Sequence, residues 1–269
     1  MPQYHFNGNK MQREEAAKKH TELMEELYGD SISQCIKDTR IYSGVSKREY
    51  KDISDVNVKM SLVKTDSVSA LFDCKESGKV AILNFASYRY PGGGFIKGSR
   101  AQEEALCQES FLYNVIKDFE CNYYIENRNS LNNGLYRNRA LYSPNIRFMR
   151  GDTTKTCDVI SCAAPNFSVA RNSVSREVNN NALSERVRFI LETIKEEQVE
   201  VFIAGAFGCG VFQQDPQVLA QCFCNEAQRV FYNRPIHLIF AIPEIPGKLN
   251  NIIPFETMVK KWNAKSSAD

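Results

Sequence analysis

Gln102-Glu103-Glu104 follows a glycine triplet, Gly92-Gly93-Gly94, after a gap of seven residues, at the expected start of a helix. Neighbouring helical residues point about 100° apart, so one carboxylate can face the glycine turn while the other orients a second group of the same ligand. Two close carboxylates also oppose each other's ionisation, which can keep one protonated near neutral pH as a general acid. The simpler alternative is that the acidic pair only complements a helix N-terminus. A second glycine-rich stretch, Gly205-Ala206-Phe207-Gly208-Cys209-Gly210-Val211-Phe212, has the same setting. Both follow an apolar strand and precede a helix, an arrangement that aims backbone N–H groups and a helix end at an anion. Neither turn is a Walker A loop and neither reads G-x-G-x-x-G, so P-loop and dinucleotide-binding fingerprints are missing. Two such turns opening on one sheet edge indicate a ligand that carries phosphate.

The elements that must position these residues alternate. Strands are expected at about 57–64, 79–85, 146–149, 157–163, 199–204 and 236–242, several of them continuous apolar runs suited to burial on both faces. Helices are expected at about 100–117, 181–197 and 215–232. That order is an α/β layered fold, with its ligand site at the carboxyl ends of the strands. Ahead of it, residues 10–28 form an amphipathic helix whose inner face is Ala16, His20, Leu23, Met24, Leu27 and Tyr28, stopped by Gly29 and Asp30. The stretch 118–145, rich in Asn, Tyr and Arg, reads as a long surface excursion. Its tyrosines at 123, 124, 136 and 142 either anchor it or stack on a base. No repeat or low-complexity linker divides the chain.

Composition narrows the function. The chain has 269 residues, with 34 Lys plus Arg against 32 Asp plus Glu, a formal charge of +2 that gives no electrostatic footprint for duplex DNA or a membrane. No run approaches the roughly 20 apolar residues that span a bilayer. Nine cysteines show no CxxC pair, and the three histidines, His5, His20 and His237, fall in no HxxxH or HExxH pattern. A reducing compartment and no metal site are expected. With no signal sequence evident, the cytosol is the default address, with the nucleus or delivery into another cell left open.

The two motifs together resemble the signature of poly(ADP-ribose) glycohydrolases, in their compact bacterial-type branch. LNFASYRYPGGGFIKGSRAQEEALC (Leu83–Cys107) and GAFGCGVFQQDP (Gly205–Pro216) carry the similarity, which runs from about residue 40 to 245 and includes Ala163-Ala164-Pro165-Asn166. The resemblance implies a three-layer α/β/α macrodomain with a mixed central sheet. Residues 1–40 would be an N-terminal helical extension packed on a catalytic domain of residues 41–269. By position it makes Glu104 the catalytic acid/base, Glu103 the partner of the substrate ribose hydroxyls, and Gln102 a residue that helps hold the loop. Gly92, Gly93 and Gly94, with Gly205, Gly208, Cys209, Gly210 and Val211, would embrace a diphosphate. Phe212 would pack beside the distal ribose, leaving little room for further chain, and Ser87 would contact a ribose.

Glycoside hydrolysis fits this pair in one way. Ordinary glycosidases set two carboxylates on opposite sides of the scissile bond, which helical neighbours cannot do. Glu104 would therefore serve twice, first donating a proton to the leaving oxygen and then taking one from water. No metal or redox cofactor is required. The resemblance implies poly(ADP-ribose) or ADP-ribosylated protein as partner, ADP-ribose as product and mainly exo cleavage. A non-catalytic ADP-ribose reader, or a hydrolase of mono-ADP-ribosylated protein or nucleic acid, are the alternatives.

Overall fold

The computed structural model describes residues 8–44, 57–244 and 251–266. Asn9 opens α1 (Lys10–Asp38) with a capping box, its side chain accepting from the Gln12 N–H while the Gln12 side chain accepts from the Asn9 N–H. The expected stop at Gly29 and Asp30 is corrected: the helix kinks at Tyr28 (φ −133°, ψ 20°) and continues. Ile32 and Cys35 bury further apolar surface beyond the kink, which outweighs the roughly 1 kcal/mol a glycine costs within a helix. Leu27, expected on the inner face, is exposed.

Seven strands form one sheet in the order β1 (Arg40–Ser43), β4 (Arg139–Arg150), β5 (Thr153–Cys162), β3 (Val80–Phe85), β6 (Val201–Ala204), β7 (Ile236–Ala241), β2 (Val58–Val63). The five from β5 to β2 run parallel, and β4 and β1 add antiparallel at one edge. β6 and β7 are buried along their whole length, because helices cover both faces. On one face, Leu83, Phe202 and Leu238 pack against Leu183 and Ile190 of α7 (Arg176–Glu196), Phe223 of α8 (Pro216–Val230) and Phe255 of α9 (Ile252–Ser266). On the other, Ile82, Val159 and Ile203 meet Leu71 of α2 (Ser67–Asp73), Leu106 of α3 (Gln102–Gln108), Val115 of α4 (Leu112–Ile116) and Met24 of α1. The result is a three-layer α/β/α domain. No described helix is long and apolar enough to cross a membrane.

Two expectations along this chain are corrected. The helix expected at 100–117 is two, because the Ser110 hydroxyl accepts from Leu112 N–H (3.0 Å) and the intervening backbone turns to bond the sheet, Met149 N–H donating to the Glu109 carbonyl (2.8 Å). The 118–145 stretch is no surface excursion. Tyr123, Tyr124 and Tyr142 are fully buried, α5 (Ile125–Arg128) lies within it, and residues 139–145 are the first half of β4. Its polar composition hides a strand that pairs with β5 on one side and β1 on the other. Elements not expected from sequence are β1, α2, α9 and the one-turn helix α6 (Phe167–Ala170).

The parallel strands bring four loops to one edge. The glycine triplet follows β3, Gly205–Phe212 follows β6, Ala163–Asn166 follows β5, and Ile242–Pro243 follows β7.

Candidate active site

Helix α3 starts at Gln102, and both glutamates of its first turn are buried, Glu103 at 3% and Glu104 at 5% exposure. Gln102 is an anchor. Its Oε1 accepts from Phe85 N–H (2.8 Å), and its Nε2 donates to the Leu83 carbonyl (2.8 Å) and Ser67 Oγ (3.1 Å), clipping α3 to the end of β3 and the start of α2. Glu103 accepts on both oxygens, from Ser87 N–H (2.7 Å) and from Asn84 Nδ2 (3.2 Å). The N–H of Gly92 favours its anion as well. Glu104 differs. Its Oε1 accepts from Gly94 N–H (2.8 Å), but its Oε2 is buried without a partner.

Gly93 separates the two carboxylates. Its φ is 59°, and a Cβ there would lie 2.7 Å from both Glu103 Oε2 and Glu104 Oε1, so only glycine fits. Gly93 N–H donates to the Tyr90 carbonyl (3.1 Å). The Gly93 and Gly94 N–H groups are therefore committed within the protein, and that of Gly92 faces the Glu103 carboxylate. That corrects the expectation that this turn aims its N–H groups at an anion: it grips the carboxyl pair instead.

The second turn has the opposite character. The N–H groups of Gly208, Gly210, Val211 and Phe212 donate to no protein acceptor among the described residues. Helix α8 behind it is not the anion site, because Asp215 caps it, accepting from the N–H of Gln217 and Val218. Gly208 holds a φ of 77°, and a Cβ there would come 2.6 Å from the Ala164 Cβ, so the loop lies directly on the segment that follows β5.

Between the two turns runs a cleft of about 630 Å³. Of the candidates read from sequence, Ser87, Gly93, Gln102, Glu103, Glu104, Gly208, Gly210, Val211 and Phe212 line it. Gly92, Gly94, Gly205 and Cys209 do not. Gly92 packs under Tyr113, Gly94 under Ser99, and Gly205 against the Ala241 carbonyl. Cys209 turns into the core, where burial pushes its thiol up to about 12. Sequence reasoning missed Asn84, whose signal was a lone amide in the apolar run VAILNF. It also missed Asp66, Val68, Ile242, Pro243 and Asn251, which line the cleft from elements or loops with no motif.

Burial, with the Glu104 charge beside it, pushes the Glu103 carboxyl up to about 8, so the pair retains a proton at neutral pH. Donors on both oxygens of Glu103 partly offset that rise, whereas Oε2 of Glu104 is buried with no hydrogen-bond partner. The arrangement is two buried carboxyls on a single cleft wall, one gripped by donors on both oxygens and one with a free oxygen. Among the described residues, no three His, Cys, Asp or Glu side chains gather as metal ligands.

A mixed sheet between helical layers, with a cleft across the strand ends, defines a macrodomain-like domain. Residues 10–151 match the family model of the microbial-type PARG catalytic domain, and the chain belongs to that family, the microbial poly(ADP-ribose) glycohydrolases. Among solved structures, the fold is similar to poly(ADP-ribose) glycohydrolase from Thermomonospora curvata (TM-score 0.80, 23% identity, 92% of this chain and 99% of that one). The same protein bound to the inhibitor ADP-HPD matches at TM-score 0.79, again with 23% identity and 92% and 99% coverage. The enzyme from Deinococcus radiodurans in complex with ADP-ribose matches at TM-score 0.72, with 25% identity over 86% of this chain and 98% of that one. A comparison with curated proteins gives no match.

Proposed function

We propose that this protein hydrolyses the ribose–ribose O-glycosidic bonds of poly(ADP-ribose), mainly from the chain end, releasing ADP-ribose. The observation that carries the reading is the buried, unpartnered Oε2 of Glu104 beside a Glu103 fixed by N–H donors. The diphosphate lies along the free N–H groups of Gly208, Gly210, Val211 and Phe212, the distal ribose meets Glu103 and Ser87, and the base occupies the end of the cleft near Asp66, Val68 and Ile242. Glu104 Oε2 gives its proton to the leaving ribose oxygen as the C1″–O bond breaks. The bound diphosphate offsets the positive charge that develops on the sugar. Glu104, now an anion, takes a proton from water as the water oxygen bonds C1″, which restores the acid. Gln102 and Asn84 position this machinery, with Asn84 also donating to Ser161 Oγ (3.0 Å).

The partners are poly(ADP-ribose) as substrate and ADP-ribose as product, and the working address is the cytoplasm. Early time points on polymer of defined length test the reading, with mono-ADP-ribosylated protein run in parallel. Monomeric ADP-ribose with slowly shortening chains and a retained protein-linked unit is expected. Prompt mid-length oligomers would overturn exo cleavage, and release from the mono-modified protein alone would overturn the polymer as substrate.

A further inference from the structure

Phe212 does not close its end of the cleft. A second cavity of about 250 Å³ shares Ser87 and Phe212 with the first, and its other walls include Tyr88, Tyr136 and Asn166. This corrects the expectation that little room remains there. The wall is built of rings: Tyr136 stacks on Tyr88 (centroids 4.2 Å apart, 9° between planes) and meets Phe212 edge-on at 6.1 Å and 65°. Tyr88 is locked from behind, its hydroxyl donating to the Ser130 carbonyl (3.2 Å) and accepting from Arg137 N–H (3.2 Å).

The backbone that delivers Tyr136 is strained. Asn132, Asn133 and Tyr136 have φ of 47°, 51° and 59°, and for a residue as bulky as tyrosine the left-handed region is a rare conformation. The surroundings hold it there, with Asn166 N–H donating to the Gly134 carbonyl (2.8 Å) and Gly134 packed against α6. Strain retained beside a catalytic wall points to use. Two exposed arginines adjoin the ring pair in sequence, Arg89 lining this cavity and Arg137 the hollow next to it, and neither makes an ion pair among the described residues. Tyr136 also borders a third hollow of about 450 Å³ whose walls carry Arg137 and Arg139.

Hydrolysis of a ribose–ribose bond leaves the adenosine of the next unit on the C1″ side, and Ser87, bonded to Glu103, opens onto this cavity. We infer that the cavity is a leaving-group subsite that takes that adenosine, its base against Tyr136 and its phosphates at Arg89 and Arg137. This rests on the glycohydrolase reading. A base–aromatic contact serves here because every base offers a π-face, and the unpaired guanidiniums supply phosphate partners.

The test compares kcat/KM on oligomeric poly(ADP-ribose) with that on an ADP-ribosyl fluoride, whose leaving group is a single atom. Tyr136→Asn removes the ring while keeping a residue that tolerates positive φ. It should lower the polymer-to-fluoride ratio about tenfold or more, and Tyr136→Phe should restore it. Arg89→Gln, at an exposed position, should lower the same ratio severalfold and weaken its salt dependence. An unchanged ratio in folded Tyr136→Asn and Arg89→Gln, or equal losses on both substrates, would overturn the subsite. Wild-type protein that cleaves neither substrate would instead sink the glycohydrolase reading, and the subsite with it.

Discussion

Glu104→Gln isolates the transferable proton from everything else the side chain does. The amide oxygen can keep the bond from Gly94 N–H now made at 2.8 Å, and the NH₂ takes the place of Oε2, which has no partner to clash with. Size and position are preserved, so ADP-ribose affinity should change less than about threefold, a cost below about 0.7 kcal/mol. Turnover should fall about 10²- to 10⁴-fold, the range general acid–base catalysis supplies, equal to about 2.7–5.4 kcal/mol of barrier. Single-turnover release of ADP-ribose from polymer, measured beside calorimetry with ADP-ribose, reads both quantities. Near-normal turnover would refute the reasoning, since no other group on this wall offers a free buried carboxyl oxygen among the described residues. The same change one residue earlier behaves differently. In Glu103→Gln an amide NH₂ must face either Ser87 N–H or Asn84 Nδ2, donor against donor, so KM should rise while kcat falls.

Two further outcomes follow from the same geometry. The Glu103 carboxyl is held above its ordinary value of 4.5, at about 8, so the folded protein binds more protons than the unfolded chain between those values and stability falls as pH rises through that window. The loss should be on the order of a few kcal/mol in urea melts of the wild type and largely absent in Glu103→Gln; parallel pH curves for the two proteins would show the pair is not coupled to folding. Gly208→Val and Gly210→Val should separate backbone need from cleft access. The first forces a β-branched side chain to φ 77° and against Ala164, costing about 2 kcal/mol or more of stability. The second meets open space, so Gly210→Val should melt like wild type yet bind ADP-ribose at least about fivefold more weakly by calorimetry, and unchanged affinity would remove that loop from the site.

The amino-acid sequence by itself determined the central strands, because β3, β6, β7 and the second half of β5 are largely apolar runs with no competing local pattern. It also determined the acidic pair, because Gln102-Glu103-Glu104 sits at a helix start that local propensity sets. The first half of β4 was illegible: Arg139–Asn145 mixes Arg, Ser, Pro and Asn with three apolar residues, and only pairing with β1 and β5 makes it a strand. The length of α1 was likewise decided by what Ile32 and Cys35 pack against, which overrode Gly29. Glycine motifs fixed where the chain turns but not which way its N–H groups point. One triplet grips the carboxyl pair and the other loop leaves four donors unpaired among the described residues, a division that depends on which side chains the fold brings near. Tyr136 shows the limit most clearly. Nothing local marks it out from the tyrosines around it, and its place beside Phe212 exists only because loops from β5, β6 and the strained turn before β4 close on one another.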